Sequence, residues 1–223
     1  DQIRIQDIIH IDGDVPAIWI MKAHQGTPNE FRPANSLPWR EGLLVAVVGW
    51  VAFVCLALYL GPDLNVDSLH YHFYLAKNAW GQAITRDFLA AGLQSYLTPY
   101  AYVPLAWMQE DGWTNVTALI FIATLQSAMV PSLWLFACAI FGVSRGRDAV
   151  IWRVLAVVAA LSCPVLLTQV GSTFIDLGTS VPVVLAGALC GLASNARRPV
   201  ALLLFAGDLL CLATALKWTQ GPW

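Results

Sequence analysis

Five runs of apolar residues, each close to bilayer length, set the pattern of this chain: 43–60, 116–141, 151–170, 177–193 and 200–216. A helix that crosses a bilayer needs about 20 mostly apolar residues, because each adds about 1.5 Å of rise across a core about 30 Å thick. The runs therefore predict five transmembrane helices in an all-α, polytopic membrane bundle. The second run is long and carries Pro131, which predicts a kink or a tilt, and Pro164 and Pro182 lie near the outer ends of the third and fourth. Proline is tolerated in such helices where neighbouring helices satisfy the carbonyl it frees. Gly187 and Gly191 stand four apart in the fourth run. That spacing permits close helix approach.

A polar stretch, 61–115, separates the first two runs. From Val66 onward its pattern is helical. Leu69, Phe73, Ala76 and Trp80 make one apolar stripe, and Asp67, His70, Tyr71, Tyr74 and Asn78 make a polar one. The pattern predicts an amphipathic helix in the membrane interface, ended by Gly81, with its polar stripe toward a cavity. Residues 1–42 differ in kind. Ile3, Ile5, Ile9 and Ile11 alternate, Asp12-Gly13-Asp14 signals a turn, and Pro28, Pro33 and Pro38 break any later helix. They read as a short cytoplasmic arm, extended or disordered, ahead of a transmembrane domain over 43–223.

Basic residues orient the spans. Arg145, Arg147 and Arg153 cluster in one connection and Arg197 and Arg198 in another, while Lys22, Arg32 and Arg40 precede the first run. The stretch 61–115 holds only Lys77 and Arg86 against Asp63, Asp67, Asp87, Glu110 and Asp111. The excess of cytoplasmic Lys and Arg in membrane proteins places the N-terminus and both Arg-rich turns in the cytoplasm. The 61–115 loop, the turn at 171–176 and residues 217–223 then lie outside.

Composition agrees. The chain of 223 residues is 58% hydrophobic and 12% charged, against roughly 45–50% and about 25% in soluble domains. An integral membrane protein follows, with a bacterial inner membrane as the expected location. A net charge of −2 and the lack of a basic block argue against a nucleic-acid partner. The five cysteines all fall in apolar runs and form no CxxC pair, so they read as packing residues. No charged segment followed by a short apolar one opens the chain, and it stops at Trp223 just after an apolar run. The expectation is a piece of a longer protein, or a truncated relative of one.

Candidate chemistry gathers outside the membrane. Asp67 falls in the first turn of the loop helix, where free amides and the helix dipole favour a carboxylate. Such a group is suited to take a proton from an incoming hydroxyl; alternatively it only caps the helix. His70 is placed to join Asp67, whereas His72, two residues on, points elsewhere and reads as an interfacial surface residue. Tyr71 and Tyr74 are either wall residues of a cavity or belt aromatics. Asp87, in Arg86-Asp87-Phe88, is a second polar wall or a solvated turn. Asp208 lies in the middle of the last run. It is a functional candidate by default, or a neutral carboxyl bonded to a neighbouring helix.

These residues, Val66-Asp67-Ser68, then Tyr71, Gly81, Asp87 and Pro99 or Pro104, resemble the GT-C superfamily of membrane glycosyltransferases. That superfamily includes the protein mannosyltransferases and the aminoarabinose transferases of lipid A. Asp176 in a later outer turn and Lys217, in Ala215-Leu216-Lys217-Trp218-Thr219, extend the likeness over about 43–223. The chain departs from the family in having five spans and in placing Ser68 where a second acid would stand. The resemblance implies transfer of a sugar from a polyprenyl-phosphate donor to a hydroxyl acceptor at the external face, with inversion. Asp67 would be the catalytic base. His70, Tyr71, Tyr74, Arg86, Asp87, Asp176 and Lys217 would bind substrate, and Lys217 and Arg86 would hold the lipid phosphate. It implies a lipid-linked sugar donor and membrane lipids as partners, and leaves a divalent metal open as cofactor. Two other readings stand beside it: a non-catalytic subunit scaffolding a larger membrane complex, and a transporter module built on Asp208.

Overall fold

The computed structural model describes residues 39–62, 67, 71–81, 98–144, 146–194 and 196–217; every regular element among them is helical. In order these are α1 (Trp39–Leu60), α2 (Phe73–Gly81), a 3-10 turn (Tyr100–Tyr102), α3 (Val103–Glu110), α4 (Asn115–Gln126), α5 (Met129–Phe141), α6 (Arg147–Leu161), α7 (Pro164–Gln169), α8 (Asp176–Ala193) and α9 (Pro199–Leu216). Four segments are long and apolar enough to cross a membrane: Trp39–Leu60, Asn115–Phe141, Asp176–Ala193 and Pro199–Leu216. The chain is a membrane protein built on transmembrane helices. Most of the predicted N-terminal arm, residues 1–38, lies outside the described residues.

Local chemistry sets the helix ends. Thr114 caps α4 by accepting a hydrogen bond from the Thr117 amide at 3.2 Å, and Pro164 and Pro199 open α7 and α9, where a missing N–H costs nothing. The Asn115–Phe141 segment breaks at Ser127-Ala128, one turn before Pro131. Proline cannot donate to the carbonyl of Ser127 and its ring crowds it. The amide of Val130 takes that carbonyl instead, at 3.0 Å. The helix is therefore interrupted one turn before Pro131, where a kink or a tilt is expected.

The third apolar run is not one long helix. Residues 151–170 divide into α6, of 15 residues, and α7, of 6 residues. The Ser162 hydroxyl donates back to the Val158 carbonyl at 2.7 Å, and Pro164 lacks the donor that would continue the ladder. α6 spans only about 22 Å at 1.5 Å per residue, short of a bilayer core.

α5 and α8 pack face to face, α8 carries α9, and α1 lies against α4 and α5. A side-chain methyl at Gly187 would sit 3.0 Å from the Phe136 ring, and one at Gly191 2.8 Å from the Ala139 methyl. The two glycines thus let α8 approach α5, as their spacing anticipates. One core joins Phe53, Ala57, Leu119, Trp134, Val157 and Leu177. A second, smaller one joins Leu75 and Ala76 of α2 to Tyr102, Leu105, Ala106 and Met108.

At the end of the bundle away from the 61–115 stretch, Arg153 is fully buried. Its guanidinium donates to the carbonyls of Gly142 at 2.7 Å and Ser144 at 3.0 Å, pairs with Glu41 at 3.0 Å, and lies over the Trp134 ring. One side chain so ties α1, the end of α5 and α6 together.

Candidate functional site

The opposite end of α1 carries the candidate site. Asp67 is helical and half-buried, and Tyr71 and His72 form a wide, π-type turn that leads into α2. Such a turn inserts an extra residue and slips the helical register. The buried face runs through His72, Leu75 and Ala76, all at 0% exposure. It shares Ala76 with the expected stripe, while Phe73 of that stripe is only partly buried. Leu69 and Trp80 of that stripe fall outside the residues whose side chains are described.

His72 is therefore not an interfacial surface residue. Its Nδ1 is 2.9 Å from the Thr173 hydroxyl, with the donor set by the ring tautomer. Its ring meets Tyr71 edge-on at 4.5 Å, Tyr102 at 5.0 Å and Phe174 edge-on at 5.5 Å. The aromatic cage joins α2, the 3-10 turn and the turn before α8. The clue lay in the HYH sequence, whose second His shares a helix face with Leu75 and Ala76.

Two phenols report the field at the site. The Tyr71 hydroxyl titrates above its ordinary range because burial disfavours the phenolate, and the charges of Asp67 and Asp176 add to this. Tyr102 is pushed further up, chiefly by burial, then by Tyr71, Asp176 and Asp67. The charges of Asp67 and Asp176 thus act on both phenols. Both phenols stay protonated, and able to donate, throughout neutral pH.

Asp176 opens α8, where the free amides of the first turn favour its charge. The Lys217 ammonium donates to its carboxylate from the end of α9. The Thr98 hydroxyl holds that end by donating to the Leu216 carbonyl at 3.2 Å. Behind Asp176, buried Gln126 reads the turn at 169–172 with both ends of its amide. It donates to the carbonyls of Gln169 at 3.1 Å and Ser172 at 3.4 Å, and accepts from the Gly171 amide at 2.7 Å. Gly171 has φ of +76°, and a methyl there would lie 2.7 Å from that of Ala57. No side chain but hydrogen fits, so α1 presses directly on the turn that presents Thr173.

Two cavities meet at this wall. One, of about 320 Å³, is an apolar groove between Tyr100, Pro104, Leu125, Phe174, Pro182 and Leu216. Its upper lining includes Ile175 and Leu216, the chain neighbours of Asp176 and Lys217. Pro182 leaves the Gly178 carbonyl without its usual amide, and both residues line the groove. The other cavity, of about 460 Å³, is more polar and is lined by Pro62, Phe73, Gln109, Trp113, Asn115 and Gly171. Leu105, Ile122 and Thr173 border both.

Of the site residues expected from sequence, Asp67, Tyr71, Asp176 and Lys217 come together. Tyr74 is half-buried on α2 with its hydroxyl shielded from solvent. His70, Arg86 and Asp87 lie outside the described residues. Among the described residues no three His, Cys, Asp or Glu side chains are grouped as a metal would need. His72, Tyr102, Gln126 and Thr173 were not singled out by the sequence as site residues. No protein-family model matches this chain, and neither does any curated protein or solved structure.

Proposed function

We propose that this chain is a GT-C-like membrane glycosyltransferase module that moves a sugar from a polyprenyl-phosphate donor to a hydroxyl acceptor at the external face. The observation that carries this reading is the Asp176–Lys217 pair next to Ile175 and Leu216, which line an apolar groove, with the charges of Asp67 and Asp176 both acting on Tyr71. A lipid-linked phosphosugar has that polarity: a long hydrocarbon tail, one anionic group, then a polar ring. In this reading the groove takes the first isoprene units, Lys217 takes the phosphate, and the sugar lies toward Asp67. The more polar cavity, with the Gln109 and Asn115 amides, suits the acceptor.

The step proceeds without a strong acid. The acceptor oxygen bonds to the anomeric carbon as its proton passes to the Asp67 carboxylate. The bond from that carbon to the phosphate oxygen breaks, and the lipid phosphate leaves as a stable anion beside Lys217. The protonated Tyr71 hydroxyl donates to a sugar or phosphate oxygen, and buried Tyr102 packs behind it. In the same reading α6 and α7 together form a fifth, broken span, α2 lies at the membrane interface, and the N-terminus is cytoplasmic. The membrane is a bacterial inner membrane.

Asp67→Asn keeps the size of the side chain and removes its basicity. Assayed with a polyprenyl-phosphate sugar donor in purified, reconstituted protein, it should lower turnover at least about 100-fold, the usual worth of a positioned base. Donor binding should persist. Unchanged turnover would reject Asp67 as the base.

A second reading, a non-catalytic subunit of a larger membrane assembly, is favoured by the exposed side of α9, where the Asp208 carboxyl lies at mid-length.

A further inference from the structure

α9 buries one side only. Ala206 and Ala213, seven residues apart, face α8 and are almost fully covered. On the far side of the helix, Ala201, Leu204, Asp208, Cys211 and Ala215 are all exposed. Their spacing alternates three and four residues, the seam along which two helices interlock over several turns. The seam is narrow, since Ala201, Cys211 and Ala215 are small. Small residues let membrane helices approach and gain packing contacts that lipid chains do not supply.

Asp208 is the anomaly on this seam. It is about 13 Å from either end of the helix at 1.5 Å per residue, so it lies near the bilayer midplane. A charge there is costly, and such residues normally pair with another polar group. Asp208 makes no hydrogen bond or ion pair with any described residue. α9 itself holds no basic side chain; Arg198 and Lys217 flank its two ends. A second copy on the same seam would oppose Asp208 with another Asp208. Like charges at that depth disfavour each other.

We propose that the Ala201–Leu204–Asp208–Cys211–Ala215 face of α9 docks a transmembrane helix of a partner that carries a lysine or arginine at mid-membrane depth. Opposite charge lets both groups stay ionised and hydrogen-bonded within a dry interface. The polar residue on the seam fixes register and partner, as single polar core residues do in coiled coils. The proposal does not depend on the glycosyltransferase reading, since the seam faces away from the α8 side.

The full chain in phosphatidylcholine vesicles is mixed with a membrane-spanning oligoleucine peptide that has one central lysine and a benzophenone beside it. Photo-crosslinking should exceed that of the central-leucine peptide about tenfold, the ratio expected from one interhelical polar pair in a membrane. Asp208→Leu should remove the preference. It places an apolar side chain at an exposed position of an apolar helix, so folding should survive. Ala215→Trp, which obstructs the seam and leaves the carboxyl in place, should lower crosslinking of both peptides. Equal yields for the two peptides, or a lysine preference that survives Asp208→Leu, would overturn the proposal. So would Asp208-dependent self-crosslinking without preference for the lysine peptide, which would make a second copy the occupant.

Discussion

At the scale of single residues, the site works by moving charged and polar groups into each other's field. Asp67 and Asp176 raise the titration of Tyr71 and Tyr102, after burial has already raised both. The sign of the consequence is fixed. A phenol whose folded titration lies above the unfolded value near 10 contributes stability that is complete below pH 10 and is lost as pH rises further. Absorbance of phenolate during alkaline titration should therefore show at least two tyrosines ionising above the ordinary range. Tyr71→Phe should move Tyr102 downward, because the Tyr71 phenolate is the second cause of its shift. A wild-type titration with every tyrosine near pH 10 would remove the basis for crowding these groups together. Asp67, Tyr71, Asp176 and Lys217 were legible as polar residues near the ends of apolar runs. His72 was not, because it was placed by its offset from His70 and not by its spacing of three and four residues from Leu75 and Ala76. Gln126 was not, since one amide in an apolar run carries no sign that its partners lie more than forty residues away.

At the scale of elements, hydropathy located the spans and proline located their breaks. The interruption at Ser127-Ala128 follows directly from Pro131, and the Gly187 and Gly191 pair accounts for the close approach of α8 to α5. The third run shows the limit of hydropathy. Apolar composition continues through Ser162, Cys163 and Pro164, yet the hydrogen-bond ladder cannot. Nor could a charge count foresee Arg153 as a buried tie, since the same count treats every arginine in a turn as solvated. Arg153→Met should lower stability by about 2–3 kcal/mol, because charge-assisted bonds to the Gly142 and Ser144 carbonyls and to Glu41 are lost together. Partial exposure of Glu41 moderates the cost of leaving it unpaired. Thermal unfolding in detergent measures the effect, and an unchanged melting temperature would mean that α1, α5 and α6 hold together without this residue.

At the scale of the whole molecule, the bundle separates its two ends by task. Arg153 and Glu41 fasten one end. The other holds Asp67, the phenols and the Asp176–Lys217 pair, whose chain neighbours Ile175 and Leu216 line an apolar groove beside the start of α8. That division could be anticipated from the sequence only as a contrast between an Arg-rich side and an acidic side. The groove itself could not, because its walls come from the 3-10 turn, α3, α4, α8 with the turn before it, and the end of α9. The central claim is that this end receives a lipid phosphate, and the most direct measurement is the binding of a polyprenyl monophosphate to the purified protein. The account predicts saturable binding that Lys217→Gln weakens about tenfold or more, the worth of one charge-assisted hydrogen bond. Asp176→Asn should strengthen it, by releasing the Lys217 ammonium from its carboxylate partner. Absence of saturable binding, or equal affinity in wild type and Lys217→Gln, would contradict the account.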